Sequence, residues 1–139
     1  MENANIKDTN IFGLSTTNRD LARIGMMVLN GGTWNGKSIM TDKGFIHDMS
    51  HPSQKMNPSY GYLWWLNGQS IVNAGAGLQP KDGPLIKEAP DDLFAAQGAL
   101  QRKLYVVPSM NLVITRLGNQ PKADFNNQFW KRLMAAAPH

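Results

Sequence analysis

Two hydrophobic runs, Lys103–Pro108 and Asn111–Leu117, lie so close along the chain that they must pair. The first reads Lys-Leu-Tyr-Val-Val-Pro and the second Asn-Leu-Val-Ile-Thr-Arg-Leu, joined through Pro108-Ser109-Met110. β-Branched and aromatic content broken by Pro, Ser and Asn is a hairpin signal. A hairpin with one wet face alternates apolar and polar residues, and this one barely does, so both faces of its sheet need a cover. One cover is Ala123–Ala136, where Phe125, Phe129, Trp130, Leu133 and Ala136 recur at helical spacing. No second cover stands out, so the chain is expected to expose an unpaired edge and an apolar sheet face.

Composition sets the class. Hydrophobic residues at 42% and charged residues at 17% describe a folded globule rather than a disordered chain. At 139 residues there is room for one domain; a polar segment over 1–11 precedes a single domain over 12–139. The net charge is +4, but the Lys and Arg residues are scattered, whereas nucleic-acid footprints cluster. No nucleic-acid partner is expected. With no cysteine, disulfide and thiol chemistry are excluded. No signal-peptide pattern opens the chain and no apolar run reaches transmembrane length, so a cytoplasmic, membrane-free protein is expected.

Thr17-Asn-Arg-Asp20 has the form of a helix N-terminus, Leu21, Ile24 and Val28 give that helix an apolar face, and Gly31-Gly32 stops it. Asn35-Gly36 marks a turn, Thr41–Met49 a short helix with Phe45, Ile46 and Met49 inward, and Tyr60–Leu66 a strand. The Gly- and Pro-rich stretch from about Asn67 to Asp92 reads as a binding loop or disorder.

Against that frame, the string Asp92-Leu-Phe-Ala-Ala-Gln-Gly-Ala-Leu-Gln-Arg-Lys-Leu-Tyr-Val-Val-Pro-Ser-Met-Asn-Leu-Val-Ile-Thr-Arg-Leu-Gly118 resembles the C-terminal strands of the serine β-lactamase-like hydrolases. That superfamily includes class C β-lactamases, penicillin-binding proteins, β-lactamase-fold esterases and 6-aminohexanoate-dimer hydrolases. Gly13-Leu-Ser-Thr-Thr-Asn-Arg-Asp-Leu-Ala-Arg-Ile-Gly25 resembles a helix start of the family, and Tyr60-Gly-Tyr-Leu-Trp-Trp-Leu66 its aromatic strand. The resemblance runs from about Phe12 to the C-terminus. It implies an α+β, partial β-lactamase-like fold: an antiparallel sheet with a C-terminal helix on one face and helices N-terminal to the strands.

The family's nucleophile sits in Ser-x-x-Lys and its second motif is Tyr-x-Asn or Ser-x-Asn. No serine here has Lys three positions on, and no tyrosine has Asn two positions on. Ser109-Met-Asn111 spells Ser-x-Asn but lies in the tight connection between the two runs, where turn residues belong. The third motif, usually Lys-Thr-Gly, corresponds to Leu93–Ala99, which has neither Lys nor His. The resemblance therefore implies a C-terminal part of a hydrolase of the ester, amide and β-lactam class, inactive alone and needing no cofactor. Backbone chemistry is what survives: an oxyanion donor at Ala99, or at Ala96, with Gly98 allowing close approach. Its partners would be a second copy covering the open edge or a complementary N-terminal fragment.

Other readings remain. A binding or assembly module on the same scaffold would use the aromatic row Tyr60, Tyr62 and Trp64. Gly31-Gly-Thr-Trp-Asn-Gly-Lys-Ser38 matches the phosphate-loop pattern, but a helix rather than a strand precedes it. His47 and His51, at i and i+4, are the one candidate pair for zinc, with Pro52 ending their helix and no third ligand placed.

Overall fold

The computed structural model describes residues 14–73 and 78–137. The first helix, α1 (Asn18–Leu29), starts where the Thr17 side chain accepts the Asp20 N–H at 3.2 Å while its hydroxyl donates to the Asp20 carboxylate at 2.8 Å. It stops at Gly31 and Gly32, both left-handed (φ +60° and +78°), whose N–H groups return to Val28 and Met27. A two-residue hairpin follows, β1 (Thr33–Trp34) and β2 (Lys37–Ser38), turned by Asn35 and Gly36 at φ +48° and +75°. The formal phosphate-loop motif is thus a helix stop and a hairpin, with Lys37 and Ser38 on a strand. Asp42 caps α2 (Lys43–Met49) through the Phe45 N–H at 3.0 Å.

Four antiparallel strands form the main sheet. Their spatial order is β3 (Trp65–Leu66), β6 (Phe94–Gly98), β7 (Arg102–Val107) and β8 (Leu112–Arg116). Between β3 and β6, β4 (Ile71–Val72) pairs with β5 (Lys81–Asp82) in a separate ribbon. The two C-terminal runs pair as expected, Val107 opposite Leu112 through Lys103 opposite Arg116. Their connection is a 3₁₀ turn at Pro108–Met110 closed by Asn111 at φ +48°. The Asp92 carboxylate accepts from the Ser109 N–H at 2.6 Å and hydroxyl at 2.8 Å, so Ser109-Met-Asn111 is a pinned turn.

The fold is α+β with the C-terminal helix, α3 (Phe125–Ala136), on one sheet face and α1 on the other. Leu104 and Val106 face the α1 side, with Val28, Met49, Trp64, Leu66 and Phe94. Tyr105 and Val107 face the α3 side, with Ile86, Leu93, Ala95 and Trp130. The expected bare sheet face is therefore corrected: α1 is the second cover. It lies close because Gly25 has no side chain; a Cβ there would stand 2.6 Å from Val113 and 2.7 Å from Leu104. The open edge is real among the described residues. β8 has no outer neighbour, and each of its residues is only half-buried although both faces are covered.

Two further expectations are corrected. The predicted strand Tyr60–Leu66 survives only as Trp65–Leu66, because Leu63 turns left-handed at φ +65° and the Gly61 N–H reaches the Trp64 carbonyl at 2.9 Å. The segment packs closely against α2 here: a Cβ on Gly61 would sit 2.1 Å from the Met49 carbonyl oxygen, so only glycine fits. The 67–92 stretch, outside residues 74–77, is tied down by buried Asn67. Its amide donates to the carbonyls of Ile86, Ala89 and Pro90 at 3.1, 3.2 and 2.9 Å and accepts from the Ile86 N–H at 2.8 Å.

Candidate functional site

A hollow of about 490 Å³ opens where β6 runs past the end of β3. β3 pairs only with Phe94 and Ala95, so Ala96–Gly98 have no outer neighbour among the described residues. The hollow wraps this edge and is lined by residues of both sheet faces, Ala96 and Leu104 from the α1 side and Gln97 and Lys103 from the other. Leu14, Leu21 and Leu117 add apolar wall.

The ladder decides which backbone groups face it. The Asn67 N–H donates to the Leu93 carbonyl at 2.8 Å, so Leu93 turns its polar backbone toward β3. Antiparallel strands alternate with period two. Ala95 and Gln97 then point outward and Ala96 and Gly98 inward to β7, where they stand opposite Leu104 and Arg102. Gly98 is itself extended (φ −119°, ψ 175°), so the outward direction passes on to Ala99. Of the three oxyanion candidates, Ala96 and Gly98 face the ladder, Ala99 opens the turn after it with its carbonyl accepting from the Arg102 N–H, and the outward position within β6 is Gln97.

The rim is strained. The connection from β6 to β7 places Leu100 and Gln101 consecutively in the left-handed region, at φ +58° and +59°. Non-glycine residues there cost about 1–2 kcal/mol each. Arg116 holds the turn: its guanidinium donates to the Gln101 carbonyl at 2.9 Å, the Leu100 carbonyl at 3.3 Å and the Asn119 carbonyl at 2.5 Å. It also lies 5.2 Å above the Phe125 ring.

Beside Arg116 stands Lys103, only 4% exposed, its ammonium donating to the Gln97 side-chain oxygen. Burial, and then the Arg116 charge, pull its pKa from 10.5 down to about 8. Two positions along the strand, burial pushes the Tyr105 phenol up to about 12, its hydroxyl donating to Asn126 at 3.0 Å. Sequence reading passed over both Gln97 and Lys103. The available signal was a lone lysine opening an apolar strand, and only the register shows that Gln97 and Arg116 flank it.

The aromatic row does not form. Trp64 enters the core edge-on to Phe94 at 5.1 Å, Tyr60 meets Trp65 edge-on at 4.9 Å, and Tyr62, 48% exposed, stacks on Phe45 at 5.9 Å. Phe45, expected inward, is thus turned out to Tyr62. None of the three lines the hollow. His47 and His51 stack ring on ring at 3.8 Å, with His51 Nδ1 2.7 Å from the His47 carbonyl oxygen and His47 Nδ1 3.2 Å from Asp48. Among the described residues no group of three His, Cys, Asp or Glu side chains gathers to hold a metal ion. A smaller cleft of about 270 Å³ beside His51 is lined by Asn67, Asp91, Asp92 and Pro108.

No protein-family model matches the chain. Among the described residues no helix is long and apolar enough to cross a membrane.

Proposed function

We propose that this chain supplies the sheet-bearing part of a β-lactamase-like serine hydrolase of the ester, amide and β-lactam class. The supporting observation is the bare edge of β6 beside the hollow, where strand alternation aims the Gln97 N–H outward and Ala99 follows in the turn that lines it. Such donors stabilise the oxyanion of a tetrahedral intermediate and need no particular side chain, at about 10²–10³ in rate for each. The hollow's lining offers Thr16 as its one hydroxyl and no Ser, Cys or His. The nucleophile in this reading is brought by a complementary Ser-x-x-Lys-bearing segment, a motif this sequence does not contain.

Intact mass after incubation with a fluorophosphonate, and separately with a penicillin, tests it. The chain alone stays unmodified. Adding a Ser-x-x-Lys-bearing N-terminal half of a family member yields one adduct on that half and restores ester hydrolysis. An adduct on the chain alone, or no activity from the pair, overturns the reading. The open β8 edge favours a second reading, an assembly module that pairs through that edge with another copy. Sedimentation decides between them: a dimer that persists when the complementary half is added favours assembly.

A further inference from the structure

Lys103 sits where an ammonium is badly served. The register places Gln97 opposite it on β6 and Arg116 opposite it on β8, and cross-strand partners share a sheet face. The row is therefore amide, ammonium, guanidinium. Gln97 accepts one N–H from the ammonium, and Arg116 is committed to three carbonyls. Among the described residues the ion pairs are Asp20 with Arg23 and His47 with Asp48, so no carboxylate compensates Lys103. A buried cation without a counter-ion, set against a like charge, sheds its proton more easily than an exposed one. Burial and Arg116 act in that direction, to about 8.

The neutral amine is the nucleophile. Lysines that condense with carbonyl compounds are activated in this way, desolvated or placed beside a second cation. Lys103 has both conditions, on the wall of a largely apolar hollow of about 490 Å³. We propose that Lys103 is a carbonyl-condensing amine that takes small aldehydes or ketones from this hollow and forms an imine with them. The nitrogen lone pair adds to the carbonyl carbon, and the displaced π pair goes to oxygen, which takes up a proton. The carbinolamine then loses water and a nitrogen proton. One amine and one carbonyl give one imine and one water, with no change of oxidation state. Gln97, as a positioning residue, accepts an N–H and so orients the lone pair.

The site shares its hollow with the hydrolase reading but uses different atoms, so either can fail alone. Of the charged groups on the packed elements, Arg102 stands next to Lys103 on β7 and Arg116 opposite it, and β6 carries none. On α1 lie Arg19 and the Asp20–Arg23 pair, and around α3 lie Asp124, Lys131 and Arg132. Arg116 is the one that lowers Lys103.

The full chain is incubated with propanal and sodium cyanoborohydride across the pH range, and N-propylation is mapped by peptide mass spectrometry. Lys103 is expected to react more than about tenfold faster than exposed Lys37 at neutral pH, because burial and the Arg116 charge favour its unprotonated amine. The midpoint of its rate profile falls near 8. Arg116→Gln moves that midpoint up and slows labelling, whereas Arg116→Lys, which keeps the charge, preserves both; circular dichroism checks their folding. A wild-type Lys103 that labels no faster than Lys37, or whose rate profile has no midpoint near 8, overturns the proposal without any variant. Labelling of Lys103 with no hydrolase activity from the complemented pair keeps this site and ends the hydrolase reading.

Discussion

The two ends of the β6–β7 ladder are built from the same pairing and differ in nearly everything else. At the Phe94 end, β3 lies alongside, both faces are covered, and Ala95, Val106 and Val107 have no exposed surface. At the Gly98 end, no strand lies alongside among the described residues, the turn is left-handed at two non-glycine residues, and the cross-strand pair is Gln97 with Lys103. One end is filled by apolar side chains that make a core. The other leaves polar groups facing a hollow, held by Arg116. Stability and chemistry are segregated along a single hairpin, over a distance of a few residues.

The largest test of this contrast is at the sealed end. Trp130 is fully buried on α3, edge-on to Tyr105 at 5.5 Å. Trp130→Ala is expected to cost about 3–5 kcal/mol in urea unfolding, since the site cannot collapse onto so large a void. Labelling of Lys103 in the remaining folded fraction should persist; if it vanishes with the core, the two ends are not separable. Next comes Asn67→Ala, which strands the Ile86 N–H and unties the segment leading into β6. Its expected cost is about 2–3 kcal/mol, from a buried donor left without a partner.

A smaller effect follows the two titrating residues of β7. Lys103 has a folded pKa of about 8, below its ordinary 10.5, so between those values the unfolded chain holds more protons and stability rises with pH. Tyr105, raised from 10.0 to about 12, works the other way: above about 10 the folded chain holds the extra proton, and stability falls as pH increases. Urea midpoints should therefore climb from about pH 8 toward 10 and then decline. Lys103→Met abolishes the climb and leaves the decline; a climb that survives places the ammonium somewhere better solvated than the strand.

The smallest concerns the strained rim. Leu100 is 45% exposed and left-handed, so Leu100→Gly relieves strain and loses little packing. A gain of about 0.5–1 kcal/mol in urea unfolding is expected, after the added unfolded-state entropy of glycine. A loss instead would mean that the Leu100 side chain supports the hollow.

Legibility in the sequence followed how local each interaction is. The C-terminal hairpin, the Thr17 cap, the Gly31-Gly32 stop and the Asn35-Gly36 turn were all readable, because each rests on residues close together in the chain. The strand at Tyr60–Leu66 was misread because the chain turns left-handed at Leu63 where Gly61 packs on Met49, a contact no neighbour announces. The second sheet cover was missed for a similar reason: the apolar face of α1 was legible, but its seat on β7 and β8 depends on Gly25, which looks like an ordinary helix glycine. Backbone candidates at Ala96, Gly98 and Ala99 lie along the end of β6 that β3 does not pair and the turn after it. The outward set was undecidable without the register, since a slip of one residue exchanges inward for outward.

By itself, the sequence determined the secondary structure of the C-terminal third and the need for two covers, because turn chemistry and side-chain periodicity act within a few residues. Only the tertiary structure decided that α1 is the second cover, that β3 ends two residues into β6, and that Lys103 stands between Gln97 and Arg116. Those are facts of register and close approach. They arise when strands distant in the chain are brought to hydrogen-bonding distance, and a lysine's chemistry then depends on neighbours that its own segment does not contain.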